Sequence, residues 1–236
     1  MGKYLQPITL LMAFALILLT ALCGGQNALA ASKIHTYTLY AAKPFRQSTP
    51  GLRYIRYPQV RGFSNRAAQT RINDTLKNFA KKVNVDRQKF IKKNPPYSSD
   101  GGVSKSQYGL SYKVQYFAYG KLSIEFSENS YSAGAAHDAS SFKTFNFYTK
   151  TGEDVSLKAN FNTKSAYHKA NNYAQSYMKK HKSNYPLAFS LGNKATIYGH
   201  PYYWTSNGLK IQFGQYEVAP FALGAPTLFI PSKYFK

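Results

Sequence analysis

Acid–base, nucleophilic and metal chemistry each require certain side chains at certain spacings, and this 236-residue chain offers few of them. The one titratable pair set beside small residues is His137–Asp138, at the end of the run Tyr131-Ser132-Ala133-Gly134-Ala135-Ala136-His137. A histidine base there needs a nucleophile or metal within hydrogen-bond reach, and the sequence does not place one. In a bend of small residues an imidazole more often bonds the backbone. The five histidines (His35, His137, His168, His181 and His200) never fall at the close spacings of common zinc sites. Glu125 and Glu128 are near neighbours, but on a strand they point to opposite faces. Glu153–Asp154 follows a turn glycine and reads as a solvated turn. Nine acids in all leave little material for a paired-carboxylate glycosidase. There is no Gly-x-Ser-x-Gly elbow, phosphate loop or dinucleotide fingerprint. The expectation is a non-enzyme with no cofactor, no metal and no catalytic residue. A wall-acting enzyme using His137 and Asp138 is kept as an alternative.

The N-terminal segment decides where such a protein works. Lys3 precedes an apolar run from Ile8 to Leu22, and small residues then lead to Ala28-Leu29-Ala30. A charged start, a short apolar core and an Ala-x-Ala site describe a secretory signal peptide over residues 1–30. The run is shorter than the roughly 18–20 residues of a membrane span. Cys23 follows Leu22, where a lipoprotein site wants a small residue. Cleavage near Ala30 would release an extracellular or wall-associated protein without cysteine, since Cys23 is the only one. With no disulfide available, stability must come from the core, which suits a Gram-positive surface.

Charge points to the class of partner. The chain holds 31 Lys and Arg against 9 Asp and Glu, a net +22, and loss of Lys3 with the leader leaves +21. Basic groups recur at Arg53, Arg56, Arg61, Arg66 and Arg71, at Lys77, Lys81 and Lys82, and at Lys179, Lys180 and Lys182. An exported cationic protein meets anionic wall polymers and headgroups. No nucleic-acid motif accompanies the charge, so no nucleic-acid partner is expected.

The elements that would position these residues follow from periodicity. Residues 34–40 and 52–57 read as strands, the second stopped at Pro58. Ala68, Ile72, Leu76, Phe79 and Val83 share one helix face after Ser64-Asn65, and Asn94-Pro95-Pro96 ends that helix. Residues 98–106 read as a Gly/Ser loop. Residues 108–119 form a strand with Leu110, Tyr112, Val114 and Tyr116 on one side. A turn at Gly120-Lys121 leads to Leu122, Ile124 and Phe126 on an antiparallel partner, and 142–148 alternates again. A second helix spans 163 to about 181, with Ala166, Ala170, Tyr173, Tyr177 and His181 on one face. Ser206-Asn207-Gly208 between apolar runs signals a hairpin, and 227–230 between two prolines suits an edge strand. The fold class is α+β, mainly antiparallel sheets with one helix packed on each of two similar halves.

Ile55-Arg56-Tyr57-Pro58-Gln59-Val60-Arg61-Gly62, a helix containing Ile72-Asn73, and Tyr131 to His137 together resemble the N-terminal domain of PdaC-type peptidoglycan deacetylases. Phe145-Asn146-Phe147, Thr149-Lys150-Thr151-Gly152 and Val155-Ser156-Leu157 are similar to the start of the RsiV-type extracellular domain. Gly208 to Phe213, Tyr216-Glu217-Val218-Ala219-Pro220-Phe221-Ala222-Leu223-Gly224 and Ile230-Pro231 resemble its end. The resemblance implies a PdaC-like domain over 31–148 and an RsiV-like domain over 149–236. No deacetylase domain follows, so that activity is not implied. RsiV-type proteins are anti-sigma factors that sense lysozyme, but seven residues before the apolar run are too few to hold a sigma factor.

The expected function is therefore a secreted, non-catalytic cell-envelope binding protein of the RsiV-like family, associating with anionic cell-wall polymer or peptidoglycan glycan. Lysozyme binding or inhibition is the alternative partner reading. Candidate ligand-binding residues are Tyr131, Gly134, His137 and Asp138, where the two halves adjoin, and Tyr216 in the C-terminal motif.

Overall fold

In the computed structural model the described residues are 38–41, 55–190, 192 and 194–236. The leader expected over 1–30 lies outside them, as do most of the strands expected over 34–40 and 52–57.

The apolar stripe of the first helix produces α1 (Arg66–Lys93), which buries Ala68, Ile72, Leu76, Ala80 and Val83. Asn65 caps it by accepting from the Ala68 N–H at 3.1 Å, satisfying one of the amides a helix start leaves open. Asn94 closes the other end before the two prolines that would break it. Strand β1 (Thr38–Ala41) pairs antiparallel with β2 (Pro58–Arg61). Pro58 thus opens a strand where the sequence reading had it close one, because a proline at a strand's first residue removes no needed ladder bond. Asn73 of α1 accepts from the Val60 N–H at 2.8 Å and donates to its carbonyl at 3.0 Å, tying helix to strand.

The segment read as a Gly/Ser loop instead folds as a short hairpin, β3 (Tyr97–Ser99) and β4 (Gly102–Ser104), turned by Asp100-Gly101. Next comes a three-stranded meander of β5 (Gln107–Ala118), β6 (Lys121–Tyr131) and β7 (Ala139–Tyr148). One face carries Leu122, Ile124, Phe126, Phe145 and Phe147 and packs with the buried side of α1 in one core. A register shift between Val114 and Tyr116 overturns the expected alternation in β5. The extra residue puts Phe117 in the α1 core and sends Tyr116 to pack against the second core.

The second half repeats the plan. Thr163 caps α2 (Lys164–Lys180), and β8 (Tyr202–Thr205), β9 (Gly208–Gln212) and β10 (Thr227–Pro231) form a meander with β10 at one edge. Helix α2 buries Ala166, Ala170, Ala174 and Met178 against Trp204, Leu209, Ile211 and Phe213. Its buried face is rotated from the one expected, because Tyr173 and Tyr177 are only half-buried and His181 is an exposed cap. The α+β architecture with antiparallel sheets stands as expected.

The second face of the central meander is buried too, and it is polar. Here β8 crosses it with one edge unpaired by any strand, and three side chains supply the missing bonds. Thr144 Oγ1 accepts from the Tyr202 N–H, Asn146 Nδ2 donates to the Tyr202 carbonyl, and Ser123 Oγ accepts from the Trp204 N–H, at 3.0, 2.8 and 3.0 Å. Ser123 also donates to Asn146 Oδ1 at 2.6 Å, closing the network. Buried polar backbone must find partners, and this seam is where it does.

Candidate functional site

The loop after β6 (132–138) and the segment after β9 (214–224) meet at the surface. The first is tied down by polar side chains. Ser132 Oγ donates to Asn94 Oδ1 at 3.3 Å, and Ser106 Oγ accepts from the Ala133 N–H at 2.8 Å. Gly134 has φ +80°, and a Cβ there would stand 3.1 Å from the Tyr97 ring, so glycine meets both the backbone and the packing requirement. The second segment is tied to the start of β7, two residues beyond the first, where the Ser140 N–H donates to Gln215 Oε1 at 2.9 Å.

These ties bring His137 and Tyr216 together. His137 Nδ1 lies 2.9 Å from the Asp138 main-chain carbonyl, which only accepts, so Nδ1 carries the proton. Nε2 is then the acceptor for the Tyr216 hydroxyl at 3.1 Å. Phe221 stacks on His137 with centroids 4.3 Å apart and lies 6.0 Å from the Tyr216 ring. Tyr216 holds φ +60°, a left-handed conformation uncommon for a residue with a side chain, and is half exposed. Tyr131 is the last residue of β6, and its hydroxyl stands 3.4 Å from Ser104 Oγ. Of the five residues expected to bind, the structure joins His137 and Tyr216, with Gly134 and Asp138 shaping the loop and Tyr131 directed to β4.

Chemically this cluster is an aromatic surface feature. Both imidazole nitrogens are engaged, and it is the Asp138 carbonyl that meets the ring, where a triad would place a carboxylate. Among the described residues no three His, Cys, Asp or Glu side chains gather to hold a metal. Phe221 was missed as a site residue although it lies in the quoted C-terminal motif. Only the folded loops place it on His137.

A second cleft of about 400 Å³ is lined by Lys143, Asn146, Asp154, Ser156, His200 and Tyr202. Asp154 is exposed after the turn, as expected, while one carboxyl oxygen accepts from the Asn146 N–H at 2.9 Å and its backbone bridges to Phe147. Desolvation by the cleft pushes its carboxyl up, against that bond and the Lys143 charge. His200 Nε2 pairs with Glu217, and Nδ1 lies 3.2 Å from the Tyr198 carbonyl. Burial pulls the imidazole down, but the bond and charge of Glu217 and two backbone contacts outweigh it, and its pKa rises. Burial pushes the Glu217 carboxyl up, but the His200 bond and the Gly214 N–H outweigh it and hold it down. With both nitrogens occupied, His200 fastens the strand of chain that carries Tyr216.

Glu125 and Glu128 lie on opposite faces of β6, as the strand period requires. Glu128 accepts from the Tyr108 hydroxyl at 2.5 Å. Glu125 is buried against the second sheet, with Oε1 held by Gln115 at 3.0 Å and Oε2 without a partner. Burial pushes its carboxyl up, against the pull of Gln115 and Lys113.

Comparison with known proteins agrees with this architecture. Residues 156–233 match the family described as a protein of unknown function, DUF3298. No curated protein matches the chain. Among solved structures, a member of the DUF3298 family from Bacteroides fragilis is similar at 12% identity and a TM-score of 0.55, over 84% of this chain and 90% of the other. A DUF3298 family protein from Pseudomonas aeruginosa is similar at 13% identity and the same TM-score of 0.55, over 85% and 92%. At such identities the likeness is one of fold, and it reaches well beyond residues 156–233. The C-terminal part of this chain thus carries a DUF3298 match, within a fold shared with solved DUF3298 proteins.

Proposed function

We propose that this protein is an exported, non-catalytic binding protein of the cell envelope that holds anionic wall polymer or peptidoglycan glycan. The observation that carries the reading is the solvent face of α1. Arg66, Arg71, Lys77, Lys81, Lys89, Lys92 and Lys93 are all exposed there. Lys82 is paired with Asp86 at 2.6 Å. The helix's 28 residues span about 42 Å at ~1.5 Å per residue. A long cationic ridge of this kind matches a flexible polyanion of repeating phosphates or carboxylates better than it matches a small ligand. The RsiV-like and PdaC-like sequence resemblances point to the same compartment.

Sedimentation with purified cell walls tests it. Retention at low salt should fall steeply as salt rises, because exposed charges are screened beyond about 3 Å at 1 M. A variant with Lys77→Glu, Lys81→Glu, Lys89→Glu and Lys92→Glu should lose retention while keeping its fold. Equal pelleting of variant and wild type would refute the reading.

A second reading, lysozyme binding or inhibition, draws on a different feature. Tyr216 and Leu223 are 51% and 50% exposed beside Phe221, an aromatic anchor of the kind protein interfaces use. Against it, animal-type lysozymes are themselves cationic, and like charges slow encounter. Saturable one-to-one heat with lysozyme at moderate salt, abolished by Tyr216→Ala, would favour this second reading.

A further inference from the structure

Among the described residues, Tyr119 is the most exposed aromatic, at 90%. It occupies the β5–β6 turn with φ +50°, next to Gly120 at φ +73°. Turns with two left-handed residues favour Asn-Gly or Asp-Gly, because a bulky side chain there strains the backbone. Tyr119 is nevertheless 90% exposed, so burial does not offset that strain. A side chain held in an unfavourable conformation and left in solvent is the pattern expected where a ring is presented to a ligand.

The surroundings of Tyr119 supply the rest of a site. The tip of the β5–β6 hairpin lies beside the tip of the β8–β9 hairpin, and a groove of about 310 Å³ separates them. Tyr116 and Tyr119 line it from the first hairpin, and the edge of the nearly buried Trp204, with Ser206 and Asn207, from the second. Lys121 Nζ sits 5.1 Å above the Trp204 ring, bringing a cation into the groove. Thr205 also lines it, and its buried Oγ1 lacks a hydrogen-bond partner.

We infer that this groove is a subsite for one or two sugar rings of an N-acetylhexosamine glycan. Pyranose rings present a C–H face that stacks on aromatic rings and an equatorial rim of hydroxyls that needs amide and hydroxyl partners. Tyr119 and Tyr116 offer the first, and the exposed side chains of Asn207 and Ser206 the second. Lys121 is placed to meet a carboxylate on a lactyl-substituted sugar. The volume is at the small end of ligand pockets, which run from about 300 to 1,000 Å³. The inference rests on the envelope reading for its choice of glycan, but it uses a surface distinct from the α1 ridge.

Trp204 is the chain's single tryptophan and lines this groove, so at temperatures where the fold is intact its fluorescence can follow binding there. Titration with tetrameric N-acetylglucosamine and with a soluble muramic-acid-containing disaccharide, both at 0.5 M salt to silence the α1 charges, should give a saturable change with at least one sugar. Tyr119→Asn suits the turn, so it should melt at or above the wild-type temperature while weakening binding at least tenfold. Tyr119→Phe should bind like the wild type. No saturable change with either sugar overturns the inference, as does unaltered binding by Tyr119→Asn or a lowered melting temperature in it. The α1 charge-reversal variant should still bind sugar, so undiminished wall retention in it with sugar binding intact would sink the polyanion reading alone.

Discussion

Replacing Asn146 tests whether the polar seam joins the two sheets. Asn146 is 2% exposed and donates to the Tyr202 carbonyl while accepting from Ser123 Oγ. Asn146→Ala strands both groups in a buried place, each at about 1–3 kcal/mol, and leaves a small void. The expected loss is about 4 kcal/mol. In a domain of this size that corresponds to a melting temperature lower by roughly 8–16 °C. Urea unfolding followed by far-UV circular dichroism and by Trp204 fluorescence would measure it. The two probes should coincide in the wild type and separate in the variant if the seam couples the halves. Asn146→Leu restores volume without the amide, so a similar loss assigns the effect to the stranded groups. A loss below about 1 kcal/mol in both variants would show that water or a backbone shift satisfies β8, and the argument would fail.

Gly152 has φ +73°, and a Cβ there would lie 2.6 Å from the Ala68 carbonyl oxygen, so Gly152→Ala should destabilise by about 2 kcal/mol or more in chemical denaturation. Glu125→Gln removes a buried charge with an unpartnered oxygen and should stabilise by about 1 kcal/mol at pH 7. That gain should shrink as acid protonates the wild-type carboxyl, whose folded pKa is raised above 4.5. The His200–Glu217 pair has the opposite profile. His200, raised above 6.5, contributes stability that fades as pH climbs through its folded pKa, while Glu217, held below 4.5, contributes stability that fades as pH falls through its own. The melting-temperature gap between wild type and Glu217→Gln should therefore be widest between pH 4.5 and 6.5, and a pH-independent gap would refute the ion pair. His137→Ala should cost about 1 kcal/mol and leave the masses of peptidoglycan fragments incubated with the protein the same as with the wild type.

Local patterns in the chain were sufficient for both helices, because their boundaries rest on short-range chemistry. Asn65 and Thr163 cap amides three residues away, and Asn94-Pro95 blocks continuation wherever the helix packs. The Asn207 hairpin and the edge position of β10 were legible for the same reason. The β5 bulge was not, since one extra residue changes every later side chain's face and only the partner strand reveals it. The ring cluster was half legible. His137 and Tyr216 each stood out within a motif, but 79 positions separate them, and Phe221 looked like ordinary loop filling.

Residue order alone determined composition, charge, helix limits and the dearth of catalytic groups, all properties that do not depend on what lies across the molecule. Tertiary structure decided which polar side chains are buried and why. Ser123, Thr144 and Asn146 look like the outward half of alternating strands, yet they are buried because the unpaired edge of β8 needs donors and acceptors that no neighbouring strand supplies. It also decided that Tyr119 and Trp204, far apart in sequence, share one groove. Hydrogen-bond demand and the meeting of distant turns are set by chain geometry, and a linear pattern does not encode either.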